Sequence, residues 1–177
     1  MQLSSKIKTI IISLLLICLC ACDKIGSNKV DTTQRYKTIV ESIIEHDSFQ
    51  SSSDYFNISA EVAKINDGYR YYVTIDKPRV ALYDVEAVAL SMDSDIYSDE
   101  TTIDKNMTAN VGIFEDKIYN MVPNQVNVDE GYVEGVVISG ITTVPQTNLL
   151  VYVSFNNKDY SQNHTEYFSI DATLAEE

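Results

Sequence analysis

The sequence predicts a mainly β domain, an antiparallel sandwich of about seven short strands preceded by one amphipathic helix. Three observations carry that expectation. From Tyr55 to Ala172, apolar and polar residues alternate with period two in short runs separated by turn residues. Asn66-Asp67-Gly68 joins two such runs whose apolar faces coincide when the chain is folded back at the turn. Thr33 to Asp47 alone has helical period. The length, 177 residues, suits one domain with an appendage, and 45% hydrophobic with 22% charged residues is a globular composition.

The helix rests on Tyr36, Ile39, Val40, Ile43 and Ile44, spaced i, i+3, i+4, i+7 and i+8. Asp31, Thr32 or Thr33 can cap its start. Its other face carries Arg35, Lys37, Glu41, Ser42 and Glu45, which is not the lysine-rich face of a membrane-surface helix. Packing on the body is therefore expected, with Ser48–Asp54 ending the helix.

The hairpin follows. In Tyr55–Ile65, Phe56, Ile58, Ala60 and Val62 share one face; in Tyr69–Asp76, Tyr69, Tyr71, Val73 and Ile75 do. A two-residue loop at Asp67-Gly68 would pair residue 66 with 69, setting Val62 against Val73 and Ala60 against Ile75. Arg70, Tyr72 and Thr74 then fall on the opposite face.

Val80–Met92 is apolar but changes phase, as a bulge or bend after Pro78 would require. Met107–Glu115 alternates. Gly131–Ser139 and Leu149–Phe155 are apolar on both parities and are expected to be central strands. Thr165–Ala172 alternates through Phe168, Ile170 and Ala172. Asp93–Asn106 and Asp116–Asp129 are long polar connections. Seven strands of this kind most often form an immunoglobulin-like sandwich, here without the Cys…Trp…Cys core of antibody domains.

The N-terminus has a different character. Lys6 and Lys8 precede an apolar run, Thr9 to Ala21, which is shorter than a comfortable membrane span and has the layout of a secretory signal. It ends in Leu19-Cys20-Ala21-Cys22, which resembles the bacterial lipobox. That resemblance implies cleavage after Ala21 and a diacylglycerol on the Cys22 sulfur. On it, the whole chain resembles small bacterial lipoproteins with an immunoglobulin-like domain. It implies a signal peptide over 1–21, a lipidated Cys22 with a tether over 22–32, and a domain over 33–177. The implied place is the extracytoplasmic face of the cell membrane, held there by the lipid anchor.

The cysteine pattern agrees. Cys18, Cys20 and Cys22 are the three cysteines, so the body has neither a disulfide nor a thiolate metal site. A domain of this size can build an adequate core without them. Asp23–Thr32 reaches at most about 35 Å when extended. The formal charge of −13 becomes two units more negative once Lys6 and Lys8 leave, so the body is repelled by anionic headgroups. With 13 basic residues against 26 acidic ones, nucleic acid is not an expected partner.

Few constellations carry chemistry. Asp93, Asp95, Asp99 and Glu100 resemble the start of a calcium loop. The central Gly and the twelfth-position Glu are missing, so a solvated acidic loop is the expectation and no metal or cofactor is expected. His46 and His164 stand in no ligand or triad motif, and neither a Gly-x-Ser-x-Gly elbow nor a phosphate loop occurs. An enzyme is not expected. Tyr69-Arg70-Tyr71-Tyr72 is the densest cluster among the 12 tyrosines. Arg70 and Tyr72, both outward, form the candidate patch for a protein partner. The expected function is therefore a membrane-anchored, non-enzymatic binding or interaction module. Its rivals are an immunity-type lipoprotein that neutralises a basic toxin through its acidity, and a solute- or Ca²⁺-binding accessory of an envelope system.

Overall fold

The computed structural model describes residues 32–93, 109–115 and 117–175. The chain divides into two compact units, 1–31 and 32–177, and the second is the one described. Cys22 and the tether up to Asp31 lie outside the described residues, as do Asp95, Asp99, Glu100 and Met107, while Thr32, expected to end the tether, opens the helix.

Helix α1 (Thr32–Ile44) buries Tyr36, Ile39, Val40 and Ile43. Ile44, the fifth member of the expected stripe, is 64% exposed. Each residue turns the helix by about 100°, which puts Ile44 on the rim of a stripe centred near Ile43 and Tyr36. The helix also stops earlier than Asp47. The His46 N–H bonds to the Ile43 carbonyl, three residues back, at 3.3 Å, and the chain leaves the helix there.

Among the described residues seven strands follow: β1 (Asn57–Ile65), β2 (Gly68–Asp76), β3 (Tyr83–Ser91), β4 (Asn110–Val111), β5 (Gly135–Thr142), β6 (Gln146–Asn156) and β7 (Asn163–Thr173). They form two antiparallel sheets, ordered β1-β2-β5 and β4-β3-β6-β7. One apolar cluster lies between the sheets, including Val62, Tyr71, Val73, Ile75, Ile138, Val151, Val153, Phe155 and Phe168. A second lies between α1 and the outer face of the four-stranded sheet, where Val88, Leu90 and Ile113 meet the helix. This unit therefore carries both of its own cores.

That layering explains the strands that are apolar on both parities. In β3, Val85, Ala87 and Ala89 face the other sheet while Val88 and Leu90 face the helix. In β6, Leu149, Val151, Val153 and Phe155 face inward, and Leu150 and Tyr152 pack toward the helix. β6 is central as expected, between β3 and β7. The phase change in β3 is a bulge: its register shifts between Tyr83 and Glu86, with Asp84 at φ 52°.

Four expectations are corrected. The hairpin pairs Ile65 with Gly68, so Val62 opposes Tyr71 and Ala60 opposes Val73. A primed turn at Asp67-Gly68 needs positive φ at its central residues, but neither Asn66 nor Asp67 takes one; Gly68 does, at 138°. The slip is two places, so every side chain keeps its face, and Val62, Tyr71, Val73 and Ile75 are buried. Gly131–Ser139 is not a central strand. The paired segment is β5, it stands at the edge of its sheet, and its burial alternates, leaving Val137 and Ile141 exposed. Of the described residues of Met107–Glu115, only Asn110 and Val111 form a strand, opposite Val88 and Ala87. The last strand begins at Asn163 rather than Thr165, so His164 lies within it, opposite Phe155.

Candidate functional site

Strand pairing fixes which connections meet. Asn57 opposes Asp76, Asp76 opposes Gly135, Tyr83 opposes Asn156 and Asn156 opposes Asn163, so the starts or ends of six strands share one end of the sandwich. The β2–β3 connection, the β6–β7 loop and the turn after Met121 converge there, since Met121 bridges to Leu82.

This end holds backbone strain. Among the described residues, four non-glycine residues take positive φ: Lys77 (48°), Asp84 (52°), Asn124 (61°) and Tyr160 (55°). All four lie in these connections or at the Asp84 bulge. Such conformations cost of order 1 kcal/mol or more each and gather where the surrounding structure holds loops in a set shape. The Asn120 side chain accepts from the Asp84 N–H at 3.0 Å, and the Asn157 N–H and the Ser161 side chain fasten the β6–β7 loop.

Three tyrosines stand on these connections. The rings of Tyr83 and Tyr160 are 6.2 Å apart, and Tyr160 is 56% exposed. Desolvation, then the charge of Asp84 and the neighbouring Tyr132 and Tyr83, hold the Tyr160 phenol above its ordinary value. It therefore stays neutral and able to donate. In the same loop Ser161 donates to Asp159 at 2.8 Å, which holds that carboxyl below its ordinary range.

At the same end of the sandwich, along the start of β1, opens a cleft of about 320 Å³, lined by Ser52, Ser53, Asn57, Ser59, Lys77 and Arg79 among others. Arg79 works here as a fastener. Its Nη1 donates to the carbonyls of Ser53 (3.1 Å) and Phe56 (2.7 Å), and its Nη2 to Asn57 Oδ1 (2.7 Å). Ser53 Oγ donates to Glu166 at 2.6 Å and accepts from the Tyr55 N–H at 3.0 Å.

Arg70 and Tyr72 lie elsewhere. They stand half-buried on the outer face of β2, the middle strand of the three-stranded sheet. Tyr72 is flanked by Glu61 and Ser139, Arg70 by Ala63 and Ile141, and the Arg70 guanidinium donates to Ser139 Oγ at 3.3 Å. The expected pair is thus brought together on one open face, joined there by Val137 and Ile141.

The histidines are packed side chains. His46 stacks on Tyr167 at 3.8 Å and His164 on Phe155 at 5.1 Å. Among the described residues no hydrogen bond joins either imidazole to a serine or carboxylate, and no three metal-ligating side chains gather. Asp93, the one described member of the acidic run, has its N–H on Ser91 Oγ at 3.4 Å. Among the described residues no helix is long and apolar enough to cross a membrane.

Sequence reasoning did not find the loop end. Its residues are scattered from Ser52 to Ser161, and the positive φ of Lys77, Asp84, Asn124 and Tyr160 leaves no mark in the local sequence. Compared with family profiles, with curated proteins and with solved structures, the chain matches none.

Proposed function

We propose that this protein is a lipid-anchored, extracytoplasmic interaction module of immunoglobulin-like type that binds a protein partner and performs no chemistry on it. The observation that carries the reading is the loop end. Tyr83, Tyr132 and Tyr160 stand there on connections held in strained shapes. Tyrosine offers large, amphipathic contact area with two side-chain torsions to immobilise, and a fastened loop has little left to order on binding.

The immunoglobulin-like type is supported by strand order. An antibody constant domain places its first, second, fifth and fourth strands in one sheet and its third, sixth and seventh in the other. Here the order is β1-β2-β5 and β4-β3-β6-β7, the same arrangement with the short fourth strand moved to the edge beside the third. The anchor rests on Leu19-Cys20-Ala21-Cys22. Cys22→Ser is expected to release the protein from membranes and abolish labelling by a fatty-acid analogue.

The decisive experiment places a photoreactive residue at position 160, or at position 72, in the anchored protein. A partner crosslinked from position 160 should lose more than about 1 kcal/mol of affinity on Tyr160→Ala, the usual mark of an interface residue that matters. A partner crosslinked from position 72 and weakened by Tyr72→Ala moves the site to the outer sheet face. Unchanged binding in both variants, with the fold intact, removes both surfaces.

A further inference from the structure

A sheet edge is a row of unpaired N–H and C=O groups, and proteins protect such edges with short strands, charges, bulges or covering segments. Three of the four edges here are protected. β4 is two residues long. β1 carries Glu61 and Lys64 and is met at Val62 by Leu174, with the Ala175 N–H on the Val62 carbonyl at 2.9 Å. β7 carries Glu166 and Asp171, and Gln50 lies along it, donating to Tyr167 O at 2.9 Å and accepting from Ser169 N at 3.0 Å.

Among the described residues, β5 has none of these devices. Gly135-Val-Val-Ile-Ser-Gly-Ile-Thr142 contains no charge and no proline. Its register with β2 runs unbroken from Gly135 to Thr142 without a bulge. No described residue bonds to its outer edge. Its solvent face presents Val137, 57% exposed, and Ile141, 37% exposed. An uncharged, regular, β-branched edge of this kind is a template for strand addition.

We infer that this edge pairs antiparallel with β5 of a second copy of this chain, about a two-fold axis at Ser139, joining two three-stranded sheets into one of six. The register is forced by symmetry. Residues directly opposed in an antiparallel pair point to the same face, so the axis must pass through a residue and not between two. An axis at Ile138 would set Val137 against Ser139 and Ile141 against Gly135. An axis at Ser139 sets Val137 of each copy against Ile141 of the other, and Ser139 against itself. That register alone matches the two exposed apolar side chains with each other, twice over. The strand has no charge that could select a charged partner. The inference is independent of the reading above, because edge pairing leaves the loop end free.

The chain from residue 32, which carries both of its cores and no cysteine, serves as the test. Sedimentation equilibrium should show a monomer–dimer equilibrium that strengthens with added salt, because the two copies share a negative charge that salt screens. Ser139→Cys should oxidise to a disulfide dimer far faster than Ser59→Cys, an exposed control on β1, since Ser139 lies opposite itself within disulfide reach. Val137→Lys with Ile141→Lys should weaken the dimer by on the order of tenfold or more, while circular dichroism stays unchanged. Mixing that variant with Val137→Glu/Ile141→Glu should restore a heterodimer. A monomer up to millimolar concentration overturns the inference, as does dissociation on raising salt. So does Ser139→Cys crosslinking no faster than the control. Partner capture from position 160 surviving any of these outcomes leaves the loop-end reading standing by itself.

Discussion

Among the described residues the one ion pair is Arg35–Glu86, at 2.5 Å, and it ties α1 to β3. Glu86 is nearly buried and Arg35 half exposed. Burial raises the Glu86 carboxyl above its ordinary value, and the Arg35 charge and hydrogen bond pull it back only in part. The folded protein therefore holds this proton more tightly than the unfolded chain does. Stability falls as pH rises from the ordinary carboxylate value through the raised one. Glu86→Gln should flatten that fall and leave neutral-pH stability unchanged or slightly higher. Arg35→Ala leaves the carboxylate buried without its cation. It should cost about 1–2 kcal/mol at pH 7, discounted for the exposure of Arg35, and much less at pH 4. Urea unfolding of both variants at the two pH values checks this; equal losses for Arg35→Ala at both would contradict it.

Gly140 shows a second single-residue constraint. A Cβ there would run into the Tyr71 hydroxyl and ring. That hydroxyl crosses the sandwich to donate to the Ala89 carbonyl at 3.1 Å. Gly140→Ala should destabilise by about 1–3 kcal/mol through overpacking, and Tyr71→Phe in the same background should recover part of the loss. Thermal melts of the two variants decide it; a neutral Gly140→Ala would mean that Tyr71 moves aside freely.

At the scale of elements, α1 is held by one face. Ile43 is fully buried and Ile44 is 64% exposed, although both belong to the apolar stripe in sequence. Ile43→Ala should cost about 2–5 kcal/mol by opening a cavity between helix and sheet, whereas Ile44→Ala should stay within about 0.5 kcal/mol of the parent. Denaturant midpoints for the pair measure it, and comparable losses would mean the helix is rotated. The hairpin illustrates how far a sequence can be read. Which side chains face inward was legible, because period two survives a slip of two places. The pairing partners were not, because they depend on whether positive φ falls at Asp67 or Gly68. That β5 stands at an edge rather than at the centre was not legible for a related reason: Val136, Val137 and Ile138 are equally apolar, and sequence cannot say that Val137 is 57% exposed.

At the scale of the whole molecule, the chain from residue 32 should give a β-dominated circular dichroism spectrum with a minor helical part. Reductant should leave its melting temperature unchanged, since no cysteine follows Cys22. A helix-dominated spectrum would contradict the fold. Local pattern by itself determined the class of this protein. Alternation sets strand faces, helical spacing sets the buried stripe of α1, and the clustering of all cysteines before Asp23 removes disulfides from the body. Tertiary structure alone decided that β3 and β6 are apolar twice over because they lie between two cores. It also decided that Ser52, Asp84, Tyr132 and Tyr160 share one end, and that among the described residues β5 is paired on one edge alone. The physical reason is that periodicity records which face of a segment is apolar, whereas covering that face, or leaving an edge open, depends on residues distant in the chain whose pairing no local pattern encodes.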